Sequence, residues 1–164
     1  MVYWIRLHNK IKESMCSDLL TPSQLRAFCV IREASRFANR VNLYGESGVG
    51  KTVLGWALAR EMGALYLADP SDHMSKAEVM VIDNSPHDRL EARLLYGAAQ
   101  EYAKSVVLLT RKQIDDHIFH VHLSVTEEDF AWVKDVLKRL GGKDQGDIAK
   151  ERGLLWNCLL CEVR

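Results

Sequence analysis

Short apolar runs alternate with longer amphipathic stretches along most of the chain. Apolar runs bounded by glycine or polar residues are typical of buried strands, whereas apolar residues at three- and four-residue steps are typical of helices. The runs predict five strands, at residues 40–44, 64–68, 78–83, 105–110 and 118–125. Because helical stretches separate these strands, the pattern indicates an α/β fold with a mainly parallel sheet flanked by helices.

The amphipathic stretches predict helices at residues 21–39, 51–62, 88–104 and 126–140. Thr21 and Pro22 provide a cap and a first-turn proline for the first of these helices. The last one opens on the capping pattern Thr126-x-x-Asp129, and a glycine pair follows it.

The two ends of the chain suggest a division into three parts. An apolar stripe predicts a short N-terminal helix within residues 1–20, and its members are Trp4, Leu7, Ile11 and Met15. Residues 21–142 hold all the predicted strands and form the core. Residues 143–164 are too few for an independent domain, so we expect a helical tail packed on the core.

The composition is that of one soluble globular domain, with 164 residues, 48% of them hydrophobic and 27% charged. Lysine plus arginine equals aspartate plus glutamate at 22 each, so no net positive field favours nucleic acid or an anionic membrane. No membrane span or export signal is apparent, which predicts a cytoplasmic protein without a membrane partner. The four cysteines are therefore expected to be reduced thiols.

Residues 45–52, with the sequence GESGVGKT, match the phosphate-binding pattern G-x-x-x-x-G-K-[ST] between a strand and a helix. Gly48 and Gly50 allow positive φ angles that turn backbone N–H groups inward. Lys51 is expected to reach the β- and γ-phosphates, and the Thr52 hydroxyl to bind Mg²⁺. The predicted nucleotide-binding residues of this loop are Gly45, Glu46, Ser47, Gly48, Val49, Gly50, Lys51 and Thr52.

A second metal ligand is predicted at Asp83, which ends the apolar run VMVID at the edge of the sheet where ligands bind. Many hydrolytic ATPases place a glutamate after this aspartate, but Asn84 stands here and cannot act as a base. Hydrolysis is therefore expected to be slow. Glu46 and Asp88 are alternative bases, although an exposed, solvated carboxylate is the favoured interpretation of each.

Thr110 and Arg111 close the fourth predicted strand, which in such a sheet lies beside the phosphate-binding loop. Its end can present a hydroxyl and a guanidinium to a γ-phosphate, so Arg111 is predicted to sense that phosphate. Lys112 competes for the same role. Together with Lys51 and Asp83, Arg111 completes the predicted catalytic set.

These segments resemble a known family of domains. VNLYGESGVGKTVLGWALA is similar to the P-loop of STAND NTPases, the NB-ARC and NACHT type, and of AAA+ ATPases. SVVLLTRK and HVHLSVTEEDFAWVKDVL resemble the strands and helix that follow in NB-ARC domains. The resemblance implies a three-layer P-loop NTPase core without a full lid domain, and a switch that binds ATP or ADP with Mg²⁺.

Three functions are compatible with these residues. The favoured one is a regulatory ATP-binding module, a weak ATPase whose nucleotide state controls self-assembly or a partner subunit. The second is a DNA-associated AAA+ loader or transposition helper, which the zero net charge makes less favoured. The third is a small-molecule kinase, whose arginine-rich lid has no counterpart in the sequence. The choice between ATP and GTP is left open.

Other motifs carry weaker signals. Cys158-x-x-Cys161 lies in an apolar terminal segment, where a buried pair of thiols is favoured over a zinc or redox site. His117, His120 and His122 could bind a metal, but polar residues on a strand face are the better interpretation.

Overall fold

The computed structural model describes residues 12–13, 15–114 and 117–139. Five β-strands form one sheet: β1 (Arg40–Tyr44), β2 (Leu65–Leu67), β3 (Ala77–Ile82), β4 (Ala103–Thr110) and β5 (Phe119–His122). In the part of the chain that the structure describes, four α-helices accompany them: α1 (Pro22–Ala34), α2 (Lys51–Met62), α3 (Arg89–Gln100) and α4 (Glu127–Arg139). A short 3-10 helix, Ser17–Leu19, precedes α1.

The sheet has the strand order β2-β3-β4-β1-β5, and every pair of neighbours is parallel. The prediction of a five-stranded, mainly parallel sheet is therefore confirmed. Strand β4 lies between β1 and β3, with Tyr44 opposite Thr110 in the register. Because all five strands run the same way, their carboxyl ends form one edge of the sheet, where residues 45–52, Asp83 and Arg111 follow their strands.

Helices cover both faces of the sheet and produce the three predicted layers. Alternate strand residues such as Leu43, Val81 and Val107 pack on one face in a cluster with residues of α1 and α2. The intervening residues, including Met80 and Leu108, pack on the other face with α3. Strands buried on both faces explain the nearly continuous apolar runs in the sequence.

The helix starts follow the predicted capping chemistry. The Thr21 side chain accepts a hydrogen bond from the Gln24 N–H, and the Gln24 side chain accepts one from the Thr21 N–H, so α1 begins with a complete capping box. Thr126 and Asp129 form the equivalent pair at the start of α4. Both starts confirm the assignments made from sequence.

Several boundaries differ from the predicted ones. Helix α1 ends at Ala34 rather than near residue 39, because a tight turn in which the Phe37 and Ala38 N–H groups both bond to the Ala34 carbonyl directs the chain into β1. Helix α3 ends at Gln100 rather than 104, and the residues after the turn join β4. The turn after α1 and the pairing of β4 with its neighbouring strands decide these positions, and amphipathic periodicity reports neither.

Some predictions fall outside the described residues, including most of the N-terminal helix, the tail at 143–164, the glycine pair after α4 and the Cys158-x-x-Cys161 motif. No helix in the described part of the chain is long and apolar enough to cross a membrane.

Candidate nucleotide-binding site

The loop between β1 and α2 has the backbone that the glycine spacing predicts. Gly48 and Gly50 have φ angles of 86° and 90°, in the region that residues with a Cβ rarely adopt. Gly45 is required for a different reason, because a Cβ there would lie 2.2 Å from the Leu123 carbonyl oxygen at the end of β5. The loop is thereby tied to the sheet edge and leads directly into the N-terminus of α2.

The Lys51 ammonium group lies over this loop. Its Nζ donates hydrogen bonds of 2.7 Å to the carbonyl oxygens of Gly45 and Glu46. Burial lowers the pKa of Lys51, the negative charge of Asp83 opposes that shift, and the charge of Arg111 adds to it. Asp83 and Arg111 thus both act electrostatically on Lys51, while the catalytic role of the three residues stays a prediction.

Thr52 and Asp83 meet at the carboxyl edge of the sheet. The Thr52 hydroxyl donates a hydrogen bond of 2.6 Å to Asp83 Oδ2, and the Asn84 N–H donates one of 2.7 Å to Oδ1. Asp83 is buried, with 6% of its surface exposed. A hydroxyl and a carboxylate side by side are hard oxygen ligands of the kind that Mg²⁺ prefers, so this pair fits the predicted metal.

Asn84 and the two alternative bases, Glu46 and Asp88, occupy different settings. Asn84 has a φ of 49°, and its amide donates a 2.9 Å hydrogen bond to the Ala68 carbonyl, so it joins the ends of β2 and β3. Asp88 caps α3 by accepting from the N–H groups of Leu90 and Glu91. Glu46 is exposed, and it contributes its backbone carbonyl to Lys51.

Thr110 and Arg111 occupy the end of β4 beside the loop. Thr110 is buried, and its hydroxyl accepts a 2.7 Å hydrogen bond from Asn42 and donates one of 2.7 Å to the Lys112 carbonyl. That hydroxyl holds the start of the β4–β5 connection in place, whereas its predicted contact with a γ-phosphate stays a prediction. Arg111 and Lys112 are both exposed.

No protein-family model matches the chain, and no curated protein is significantly similar to it. Solved structures do match. The replication initiator DnaA bound to AMPPCP and single-stranded DNA aligns with a TM-score of 0.58 and 13% identity, over 90% of this chain and 63% of that one. The chain shares the α/β fold of these DnaA structures, a parallel sheet flanked by helices.

Two further structures support this assignment. AMPPCP-bound DnaA from Aquifex aeolicus has a TM-score of 0.51 and 15% identity, over 79% of this chain and 57% of that one. Domain III of DnaA from Thermotoga maritima has a TM-score of 0.54 and 13% identity, over 79% of this chain and 75% of that one. The chain thus spans less than two thirds of the length of the first two DnaA chains.

Two residues contact the predicted site although sequence reasoning did not single them out. Gln24 of α1 is buried and donates a 3.2 Å hydrogen bond to the Gly50 carbonyl in the loop. Tyr66 of β2 donates a 2.8 Å hydrogen bond to Asp83 Oδ2. The capping pattern Thr21-x-x-Gln24 marks a helix start, but neither contact across the fold has a local signal.

Nothing in the described residues supports a metal site formed by the histidines near β5. His120 Nδ1 lies 3.2 Å from the buried Asn42 side chain, and His122 stacks on Tyr44 with ring centroids 4.8 Å apart. Among the described residues, no group of three or more histidine, cysteine, aspartate or glutamate side chains is arranged to hold a metal ion.

Proposed function

We propose that the chain is an ATP-binding regulatory P-loop NTPase module. The observation that carries this proposal is the 2.6 Å contact between Thr52 and Asp83 directly beside a loop whose two glycines have positive φ. One end of the sheet thus combines a loop with two positive-φ glycines at a helix N-terminus, a lysine and two hard oxygen ligands. That combination suits a polyphosphate with a divalent cation.

Each group has a definite task in this proposal. The N–H groups of residues 45–52 bind the phosphates, and Lys51 exchanges its loop carbonyls for the β- and γ-phosphate oxygens. Thr52 and Asp83 hold Mg²⁺, which when bound neutralises phosphate charge. Arg111 reports whether the γ-phosphate of ATP is present, and its electrostatic effect on Lys51 supports that position.

Hydrolysis by the isolated chain is slow in this account. Asn84 has no carboxylate and its amide is engaged with Ala68, while Asp88 caps α3. A neutral amide cannot remove a proton from water, so a positioned base is missing from the strand that carries Asp83. The chain would therefore use ATP mainly as a signal, and a neighbouring subunit could complete the site.

The nucleotide state would control self-assembly or a partner subunit. STAND and AAA+ proteins share the P-loop core, and the resemblance of residues 45–52 and 105–112 to NB-ARC domains supports a switch. Within the chain, we assign residues 21–142 to the nucleotide-binding core.

Assembly and hydrolysis can be measured together to test this function. Light scattering with Mg²⁺ and ATP, with ADP and without nucleotide gives the assembly state, and phosphate release is recorded on the same samples. We expect ATP-dependent oligomers that Lys51→Ala abolishes, with release per chain rising with protein concentration. A monomer in all three conditions would contradict self-assembly and leave a partner subunit as the target.

A second candidate is an ATPase that acts on DNA. The similar DnaA structure is bound to single-stranded DNA, which favours testing nucleic acid despite the zero net charge of this chain. Fluorescence anisotropy of a labelled single-stranded oligonucleotide, with ATP and with ADP at increasing salt, provides the test. Binding that weakens steeply with salt would support this candidate, since phosphate contacts release counterions.

A further inference from the structure

Tyr66 contacts the carboxylate of Asp83, the predicted metal ligand. It belongs to the edge strand β2, it is half-buried, and its hydroxyl donates a 2.8 Å hydrogen bond to Asp83 Oδ2. Thr52 donates to the same oxygen at 2.6 Å, whereas the other oxygen, Oδ1, accepts only the Asn84 N–H among the described contacts. The two carboxylate oxygens therefore have unequal surroundings.

The hydrogen-bonding capacity of each oxygen gives this asymmetry a consequence. A carboxylate oxygen has two lone pairs, so Thr52 and Tyr66 together saturate Oδ2, and Oδ1 keeps one acceptor position. The Thr52 hydroxyl donates its single proton in the hydrogen bond to Asp83, and its oxygen lone pairs remain for a cation. Saturating Oδ2 directs a metal, or a water bound to it, toward Oδ1 and the Thr52 oxygen.

Helix α2 makes room for this tyrosine. A Cβ at Gly55 would lie 2.9 Å from the Cε2 atom of the Tyr66 ring. Glycine in a helix interior usually lowers stability, so its presence at this contact indicates that the close approach of the ring is needed. A tyrosine hydroxyl is protonated at neutral pH, so Tyr66 can donate its hydrogen bond to Asp83 there.

We infer that Tyr66 is a positioning residue of the magnesium site, holding the Asp83 carboxylate in the orientation that binds Mg²⁺ together with Thr52. This inference rests on the proposed function. It makes Mg²⁺-dependent nucleotide binding depend on Tyr66, whereas binding without Mg²⁺ depends on the loop, Lys51 and Arg111 and not on Tyr66.

The experiment is a magnesium titration of binding to a fluorescent ATP analogue, mant-ATP, with a parallel series in EDTA. Tyr66→Phe keeps the ring and removes only the hydroxyl. We expect it to raise the Mg²⁺ concentration for half-maximal binding by about threefold to tenfold, the worth of one hydrogen bond, and to leave binding in EDTA unchanged. Gly55→Ala should shift the same midpoint, because it displaces the ring.

Two controls separate positioning from general damage. Tyr96→Phe removes the hydroxyl of another buried tyrosine, one that donates to the Val41 carbonyl away from the metal pair. Gly97→Ala makes the same change as Gly55→Ala in α3, where an added Cβ meets nothing within 4 Å. Both variants should keep the wild-type Mg²⁺ midpoint.

The outcomes distinguish this inference from the function on which it rests. A Tyr66→Phe protein with the wild-type Mg²⁺ midpoint would overturn the inference, and so would equal weakening with and without Mg²⁺, which indicates structural damage. Wild-type protein that binds no mant-ATP under any condition would overturn the proposed function and the inference together.

Discussion

The side chains of the proposed site come from different elements that end or begin at the carboxyl edge of the sheet. Lys51 and Thr52 come from the loop and the first turn of α2, Asp83 follows β3, and Arg111 follows β4. In the described structure each oxygen of the metal pair has a partner, because Thr52 donates to Asp83 Oδ2 and the Asn84 N–H donates to Oδ1. Such an arrangement is preorganised, so ligand binding needs little rearrangement of these side chains.

Arg111 allows a prediction at the residue scale. If its guanidinium contacts the γ-phosphate, Arg111→Ala should weaken ATP binding by about tenfold or more, the worth of a charge-assisted hydrogen bond, and leave ADP binding unchanged. Competition titrations with both nucleotides measure the ratio. Lys112→Ala is the control, since it removes the same charge from the adjacent exposed residue. A reversed result would assign the sensor role to Lys112.

Helices α1 and α4 are joined at their N-termini by one buried carboxylate. Asp129 accepts hydrogen bonds from the Ser23 N–H at 2.8 Å and from the Thr126 N–H at 2.7 Å. Asp129 thereby fixes the start of α4 against the start of α1. The next residue of α1, Gln24, donates a side-chain hydrogen bond to the Gly50 carbonyl of the loop. Burial opposes ionisation of Asp129, but these hydrogen bonds outweigh it and lower the pKa.

Asp129→Asn tests this anchor. An amide offers only one acceptor oxygen, so a buried N–H loses its partner and stability should fall by about 1–3 kcal/mol at pH 7. A lowered folded-state pKa means that the wild-type advantage is present above the unfolded carboxyl pKa of about 3.9 and is lost as the pH falls through the folded value. Urea unfolding across this range measures both effects.

The control for that experiment is Asp18→Asn, since Asp18 is an exposed residue in the 3-10 helix. It should unfold like the wild type at every pH. If the Asp129→Asn and wild-type stabilities fell in parallel as the solution was acidified, Asp129 would not be the ionised anchor described.

Glycines in two helices allow a matched prediction at the element scale. Gly97→Ala in α3 adds a methyl group where nothing lies within 4 Å, so it should stabilise the protein by about 0.5–1 kcal/mol. Gly55→Ala in α2 places its Cβ against Tyr66 and Leu109 and should destabilise it by about 1–3 kcal/mol. Thermal unfolding of the two variants should shift in opposite directions; a stabilised Gly55→Ala would contradict the packing described.

At the scale of the whole molecule, strand order brings the site together. Because β4 lies between β1 and β3, the end of the strand that carries Arg111 stands between the loop and Asp83. The site at this edge was predictable in part. The G-x-x-x-x-G-K-[ST] pattern with its flanking strand and helix specifies the phosphate-binding loop, and a later apolar run ending in aspartate specifies the second metal ligand. Asp83 and Thr52 were paired from sequence on that basis.

The remaining contacts depend on distances across the fold that no local pattern encodes. Tyr66 is an ordinary residue of a short strand until β2 pairs with β3 and turns its hydroxyl toward Asp83. The ends of α1 and α3 were misplaced for a related reason, because the turn after Ala34 and the pairing of β4 end these helices before their periodicity does. Motifs and caps are local and were found, whereas tertiary partners outside a known motif, such as Tyr66 and Asp83, were not.

The central claim is that residues 45–52 with Lys51 bind ATP. Isothermal titration calorimetry with ATP and Mg²⁺ tests it most directly, comparing the wild type with Lys51→Ala and with Lys104→Ala. Lys104 pairs with Glu78 and is the second residue of β4, at the opposite end of that strand from Arg111. We predict saturable wild-type binding, a loss of affinity of about tenfold or more for Lys51→Ala, and no change for Lys104→Ala. Absence of binding by the wild type, or equal affinity of wild type and Lys51→Ala, would contradict the account.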